Sequence, residues 1–311
     1  MPDLNPTSYL LIATMATSLG FILVTHNQPN QLRRLVDTIN IMFDYPRIVC
    51  HHNFSITPLN QESFPKNVKF VMPHVKTKWG KFSTIEAEMR ALRLLYQCPD
   101  PPDWFTILSG SDYPIKPAAK IIQDLSSSPY DAFIHHEIVQ YNRLESPWQR
   151  LGYQRYCTVK TWVPAIEKNG RLKKKFITLL EKPSLTKFFT PFSDSFPCFV
   201  GDHFFCGNHR VAKYLLDQHE TAVSLQKYYQ KHTIFPTESY YQTLLCNARG
   251  FNLCNNNMRY VDWSSENAHP KTLGMEDLPS LLSSSAHFAR KFDSCKDIEI
   301  LNELDKQIRE Y

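Results

Sequence analysis

The residues best suited to chemistry lie between Phe235 and Asp293. The stretch opens with Phe235-Pro-Thr-Glu-Ser-Tyr-Tyr-Gln-Thr-Leu-Leu245 and closes with His287-Phe-Ala-Arg-Lys-Phe-Asp293. Glu238 offers a carboxylate that can take a proton, and the adjacent Arg290 and Lys291 offer fixed positive charge. A base and a cationic clamp are two of the parts needed to move a group off a phosphate. Glu238 follows Pro236 and Thr237 at what reads as a helix start, with Tyr240, Tyr241, Leu244 and Leu245 forming an apolar face. A helix-terminal acid stabilised by the macrodipole would look the same, so both readings stand at this level. Lys271 and Arg259 are further cations within the stretch, and Tyr260 and Trp263 are either core or a stacking platform for a sugar ring.

Other motifs exclude more than they suggest. No G-x-G-x-x-G and no Walker sequence follows the first apolar run, and the chain has only nine glycines, so phosphates would be held by side chains rather than a glycine cradle. His51-His52-Asn53 and His135-His136-Glu137 invite a metal reading. Adjacent histidines on a regular strand point to opposite faces, however, and cannot chelate one ion. No Asp-x-Asp ends an apolar strand, and no catalytic metal is expected.

The elements that must position these groups are legible as alternating strands and helices. Phe21–Val24, Arg47–Cys50, Val68–Met72 and Trp104–Leu108 are short apolar runs, the pattern of buried parallel strands. Between them, Asn27 and Pro29 open a helix carrying Leu32, Leu35, Val36, Ile39 and Met42. Phe82–Tyr96 forms a second, with Ile85, Met89, Leu92 and Leu95 inward and Glu86, Glu88, Arg90 and Arg93 outward. This alternation predicts an α/β single domain with a mostly parallel central sheet and helices on both faces. Ligands of such sheets sit beyond the carboxyl ends of the strands, which here carry His51 to Asn53, Trp79-Gly80 and Ser109 to Asp112.

Further on, residues 132–139, 156–163 and 198–205 read as strands, the last holding Asp202. Residues 168–195 read as an irregular excursion, and Val211–Asp217 as a helix. The dense basic run Arg171-Leu-Lys-Lys-Lys175 reads as a solvated face or loop rather than a nucleic-acid patch.

Composition sets the limits. At 42% hydrophobic and 13% aromatic the chain can bury a sizeable core and is no disordered segment. A net charge of +5 suits a phosphorylated small molecule as well as anything larger. The eight cysteines show no Cys-x-x-Cys pair and read as reduced, buried thiols. Tyr9 to Val24 is apolar but shorter than the ~20 residues of a membrane helix. Residues 1–14 are therefore expected to be a leader, or alternatively a weak membrane-associating segment, ahead of a catalytic domain over 15–311.

Several stretches together resemble one family. Leu108-Ser-Gly-Ser-Asp-Tyr-Pro-Ile-Lys116, Trp79-Gly-Lys-Phe-Ser-Thr-Ile-Glu-Ala87, Pro236-Thr-Glu-Ser-Tyr-Tyr-Gln-Thr-Leu244, Asn257-Met-Arg-Tyr-Val-Asp-Trp263 and Phe288-Ala-Arg-Lys-Phe-Asp293 follow one another in the order of the core-2/I-branching β-1,6-N-acetylglucosaminyltransferases, a family that also holds the peptide O-xylosyltransferases. The resemblance runs from about Phe21 to Asp293 and points to a bacterial-type member, cytoplasmic or membrane-peripheral.

It implies a GT-A-like, inverting glycosyltransferase that needs no metal and uses a UDP-sugar as donor. Glu238 would be the general base. Lys291, with Arg290 beside it, would hold the donor diphosphate, and Lys271 is nearest in position to a second diphosphate cation. His51, Asn53, Trp79, Ser109 and Asp112 would line the nucleoside and donor side, and Asp202, Tyr260 and Trp263 the acceptor side. The chain departs from the family pattern at Asn53, where many relatives carry an aspartate. The implied partners are a nucleotide sugar and a glycan or glycoconjugate acceptor, with no nucleic acid and with peripheral membrane contact as an option. Transfer of N-acetylglucosamine to a sugar hydroxyl is the leading reading. Xylosyl transfer, a nucleotide-sugar-binding protein without catalysis, and a metal-assisted hydrolase are the alternatives.

Overall fold

The computed structural model describes residues 17–166, 170–217, 219–264 and 269–309; the expected leader over 1–14 lies outside them. The first apolar run forms β1 (Leu19–Thr25), whose alternate side chains enter two different cores. Ile22 joins one hydrophobic cluster, while Leu19, Phe21 and Leu23 join another on the opposite face. A strand covered on both faces leaves no place for polar side chains, which is why the run is continuously apolar. In α1 (Pro29–Phe43) the proline sits in the first turn and Leu32, Leu35, Val36 and Ile39 are buried, as their spacing requires. β2 (Ile48–His52) and β3 (Val68–Phe70) extend the sheet parallel to β1, and β4 (Trp104–Ser109) joins β1 on its other side, again parallel. α2 (Ser83–Tyr96) covers one face. The helical period groups Glu88 with the outward charges, but it is buried, because His203 and the Tyr241 hydroxyl, which donates over 2.9 Å, bond its carboxylate.

After β4 the chain makes the short β5 (Asp112–Pro114) and then α3 (Ala118–Ser126). The strand expected over 132–139 is broken at the two histidines into β6 (Ala132–Phe133) and β7 (Glu137–Val139). Residues 147–156, with Tyr156 at the end, form a helix, α4 (Pro147–Tyr156), closed by a capping box between Ser146 and Gln149. The strand expected from Tyr156 begins only at β8 (Val159–Ile166). The segment expected to be irregular contains β9 (Leu172–Leu180), antiparallel to β8, and a short α5 (Pro183–Thr186). The strand expected over 198–205 is two strands, β10 (Cys198–Val200) beside β7 and β11 (Cys206–Asn208) between β4 and β6.

α6 (His209–Leu216), α7 (Glu220–His232) and α8 (Tyr240–Asn247) follow, then β12 (Leu253–Cys254), β13 (Arg259–Val261), α9 (Leu278–Ser283), β14 (Phe288–Arg290) and α10 (Glu299–Arg309).

The main sheet has the order β12-β6-β11-β4-β1-β2-β3 and is mostly parallel, as expected. One core holds residues of α2, α6, α7 and α8, and the other holds residues of α1, α3 and α10, so helices cover both faces. A smaller sheet, β13-β14-β5, begins where β4 ends and therefore stands at the carboxyl end of the main strands. Among the described residues no helix is long and apolar enough to cross a membrane.

Candidate active site

The small sheet concentrates charge. Antiparallel pairing sets Arg290 of β14 opposite Asp112 of β5, and Arg259 lies on the neighbouring β13. The Asp112 carboxylate is fully buried and accepts the Ser109 N–H at 2.6 Å and the Ser109 hydroxyl. It lies 3.7 Å from Arg259 Nε and 3.8 Å from Arg290 Nε. Arg259 is buried, donates to the Ile107 carbonyl at 3.0 Å, and has its pKa lowered by burial against the opposing pull of Asp112. The Arg290 guanidinium lies 4.6 Å from the centre of the Phe204 ring. Lys291 follows in sequence, and its ammonium has no hydrogen-bonded or ion-paired partner among the described residues; burial first, then Arg290, lowers its pKa. Burial, then the charge of Lys291, likewise lowers the pKa of His26, just past β1, and of His269. One buried carboxylate facing three cations leaves an excess of positive charge where an anion would be stabilised.

Glu238 belongs to a second group of residues. It ends a 3-10 turn, Pro236–Glu238, that precedes α8. Phe235 enters the turn in the left-handed region (φ 54°) and donates its N–H to the Gly80 carbonyl at 2.9 Å. Gly80 itself has φ 69°, a conformation favouring glycine. The Phe235 ring packs against Trp79 at 4.5 Å and carries the Arg155 guanidinium at 4.6 Å. That guanidinium, from the last turn of α4, pairs with Glu238 Oε2. Burial raises the pKa of Glu238, and Arg155, then His203, oppose the rise. The result is a carboxylate held ready to accept a proton but not sealed from solvent.

Two bridges join the halves. Trp79, 71% exposed, reaches His269 at 5.8 Å between ring centroids. Below, the Gly201 N–H donates to the Glu238 carbonyl at 3.0 Å, and the chain runs on through Asp202 and His203 to Phe204 under Arg290. Asp202 adds an upward push to the Glu238 pKa and pairs with His135 at 3.5 Å.

The other expected site residues are placed differently. His51 and Asn53 were expected to meet a nucleoside, but both side chains are buried and already engaged. His51 Nε2 accepts the Val75 N–H at 3.0 Å, and burial lowers its pKa to about 4. Asn53 donates to the carbonyl and hydroxyl of Thr77 at 3.1 and 2.9 Å. They fix the loop leading to Trp79, and the one polar atom left without a partner, His51 Nδ1, is buried. His52 points away from His51, to the Thr25 hydroxyl and the Thr57 carbonyl, as expected for neighbours on a strand. Lys271 is held by Asp277 at 2.7 Å and Glu276 at 3.3 Å, so its charge is largely answered locally. Ser109 and Asp112 position Arg259 and Arg290 rather than facing outward. Tyr260 leans on a core cluster, and Trp263 is half exposed. Sequence reasoning gave no site role to Arg155, His26, His269 or Phe235, although Phe235 and His269 each precede a proline.

The profile of the Core-2/I-Branching enzyme family matches residues 21–282. The chain belongs to this family. Among its curated relatives, a beta-glucuronosyltransferase of Arabidopsis thaliana, GlcAT14B, is 26% identical over 212 residues, covering 66% of this chain and 44% of that protein. Xylosyltransferase 1 of Homo sapiens is 23% identical over 322 residues, covering 92% of this chain and 30% of that protein. The chain thus spans less than half the length of either relative. A solved galactosyltransferase, LgtC, in complex with donor and acceptor sugar analogues, aligns with 93% of this chain and 97% of its own at 8% identity and a TM-score of 0.40. The Core-2/I-Branching match takes in Trp79, Asp112, Glu238 and Arg259; Arg290 and Lys291 lie beyond its end.

Proposed function

We propose that this Core-2/I-Branching enzyme chain is an inverting, metal-independent glycosyltransferase of GT-A-like fold. It would move N-acetylglucosamine from UDP-N-acetylglucosamine to a sugar hydroxyl in a β-1,6-type branching reaction. The observation that carries the reading is a part-buried carboxylate, Glu238, linked through the contacts of Arg155, Phe235 and Trp79 to His269, which feels the charge of Lys291 and Arg290. Glu238 takes the proton of the acceptor hydroxyl as its oxygen attacks the anomeric carbon. The bond to the diphosphate breaks on the opposite face, and UDP leaves with its new charge beside Lys291 and Arg290. These side chains supply the positive charge that other transferases take from a divalent ion. Trp79 and Trp263 offer exposed faces for sugar stacking, and Asp202 would face the acceptor.

Xylose is the second donor to consider, because Arg290 stands beside Lys291 as the resemblance to the xylosyltransferase branch implies. The test is UDP release from UDP-N-acetylglucosamine, UDP-xylose and UDP-glucuronic acid in EDTA, with water as slow acceptor. One donor should turn over, and Glu238→Gln should lose about 10²–10⁴-fold in rate while still binding UDP. Absence of both UDP binding and turnover would overturn the reading.

A further inference from the structure

The transferase reading leaves the β8–β9 hairpin and the residues after it unused. Residues 159–191 contain eight Lys and Arg against Glu167 and Glu181, a net of +6 in a chain whose total is +5. The remaining residues are therefore close to neutral, and the excess charge belongs to this one segment.

The same segment exposes large apolar side chains. Ile166 and Leu172 pair directly across the hairpin end and share a face, at 74% and 79% exposure. Lys173 and Lys175 alternate onto the other face of β9. Where the chain leaves the hairpin, Phe188 and Phe189 are 73% and 63% exposed, and Lys187 Nζ lies 5.2 Å from the Phe188 ring centre. Apolar groups of this size left in water mark a contact surface. A second copy would bring like charge against like. A soluble polyanion would answer the lysines but leave the phenylalanines and the hairpin end wet. A bilayer with acidic headgroups answers both, taking the apolar groups into its interface and the cations at its phosphates.

We propose that residues 159–166 and 170–191 dock the protein on an anionic lipid surface. β8 starts just after α4, the helix that carries Arg155 to Glu238, so docking would hold the site close to acceptors borne on that surface. The binding itself does not depend on the transferase reading.

The test is co-sedimentation of the full chain with phosphatidylcholine vesicles with and without phosphatidylglycerol, with circular dichroism to verify folding. Binding to the acidic vesicles alone is expected, weakened by salt. Each charge removed in Lys173→Gln or Lys175→Gln should cost about fivefold in partitioning. Leu172→Ser with Phe188→Ser should abolish binding, and hydrogen exchange should show protection at 171–175 in the wild type. Equal binding to neutral vesicles, binding to heparin but not vesicles, or binding that survives the Leu172/Phe188 variant would each overturn the proposal. Survival in that variant would place the contact elsewhere in the chain.

Discussion

Arg155 and Glu238 form the pair on which the proposed chemistry turns, and they act against burial. Desolvation disfavours the charged carboxylate and raises its pKa, while the guanidinium pulls it back. A general base works only when deprotonated, so activity is present above the Glu238 pKa and lost as pH falls through it. Removing Arg155 leaves burial with less opposition. In Arg155→Met the acidic limb of kcat/KM should therefore move to higher pH while the alkaline limb stays, with a loss at neutral pH smaller than the ~10²–10⁴-fold expected for a lost base. Arg155→Lys should return the limb part of the way. A uniform fall in rate with no movement of the limb would reduce Arg155 to a packing role on Phe235.

The elements that hold this pair depend on close backbone approach. A Cβ on Gly201 would lie 2.0 Å from the His135 carbonyl oxygen, and one on Gly152 of α4 would lie 2.5 Å from Val200 Cγ1. These contacts let the chain turn between β10 and β11 and let α4 lie close to β10. Gly201→Ala should cost about 1–3 kcal/mol in urea unfolding. It should also depress kcat, because the Gly201 N–H anchors the Glu238 carbonyl. A fully active, equally stable variant would mean that the loop yields easily. This close approach also marks where the sequence stopped being legible. Four parallel strands could be read because continuous apolar runs need no partner to be recognised. The breaks at His135–His136 and after Val200 could not, since they arise from contacts between segments distant in the chain. α4 hid because its buried residues are Gly152, Tyr153 and Tyr156 rather than an aliphatic stripe, although Ser146 and Gln149 carried the capping signal. Glu238, Arg290 and Lys291 were singled out by type and neighbourhood. Arg155 was not, because its partner is 83 residues away. His51 and Asn53 were placed correctly at a strand end, but a sequence does not say which strand-end side chains face the core.

Across the whole molecule, the site joins the carboxyl ends of strands from two sheets that are far apart in sequence. His26 follows β1 of the main sheet, Lys291 follows β14 of the small one, and both cores flank the main sheet. The C-terminal α10 is tied back to α1, with Asp305 accepting from Arg34 at 2.7 Å and from the Tyr113 hydroxyl at 2.8 Å. A ligand gripped between such distant parts should stabilise the whole fold rather than a local segment. UDP at a hundred times its Kd should add about 2.7 kcal/mol and raise the thermal midpoint by several degrees in a single transition. The added stability should be the same in EDTA if side chains alone carry the diphosphate. It should disappear in Lys291→Ala, which leaves the buried Asp112–Arg259 pair intact. Burial, then the charge of Arg290, lowers the Lys291 pKa, so the ammonium discharges as pH rises through a value below that of a free lysine. UDP stabilisation should fade over that alkaline range, earlier than an unperturbed lysine would allow. A midpoint shift that requires magnesium, or that survives Lys291→Ala unchanged, would move the diphosphate to another set of ligands.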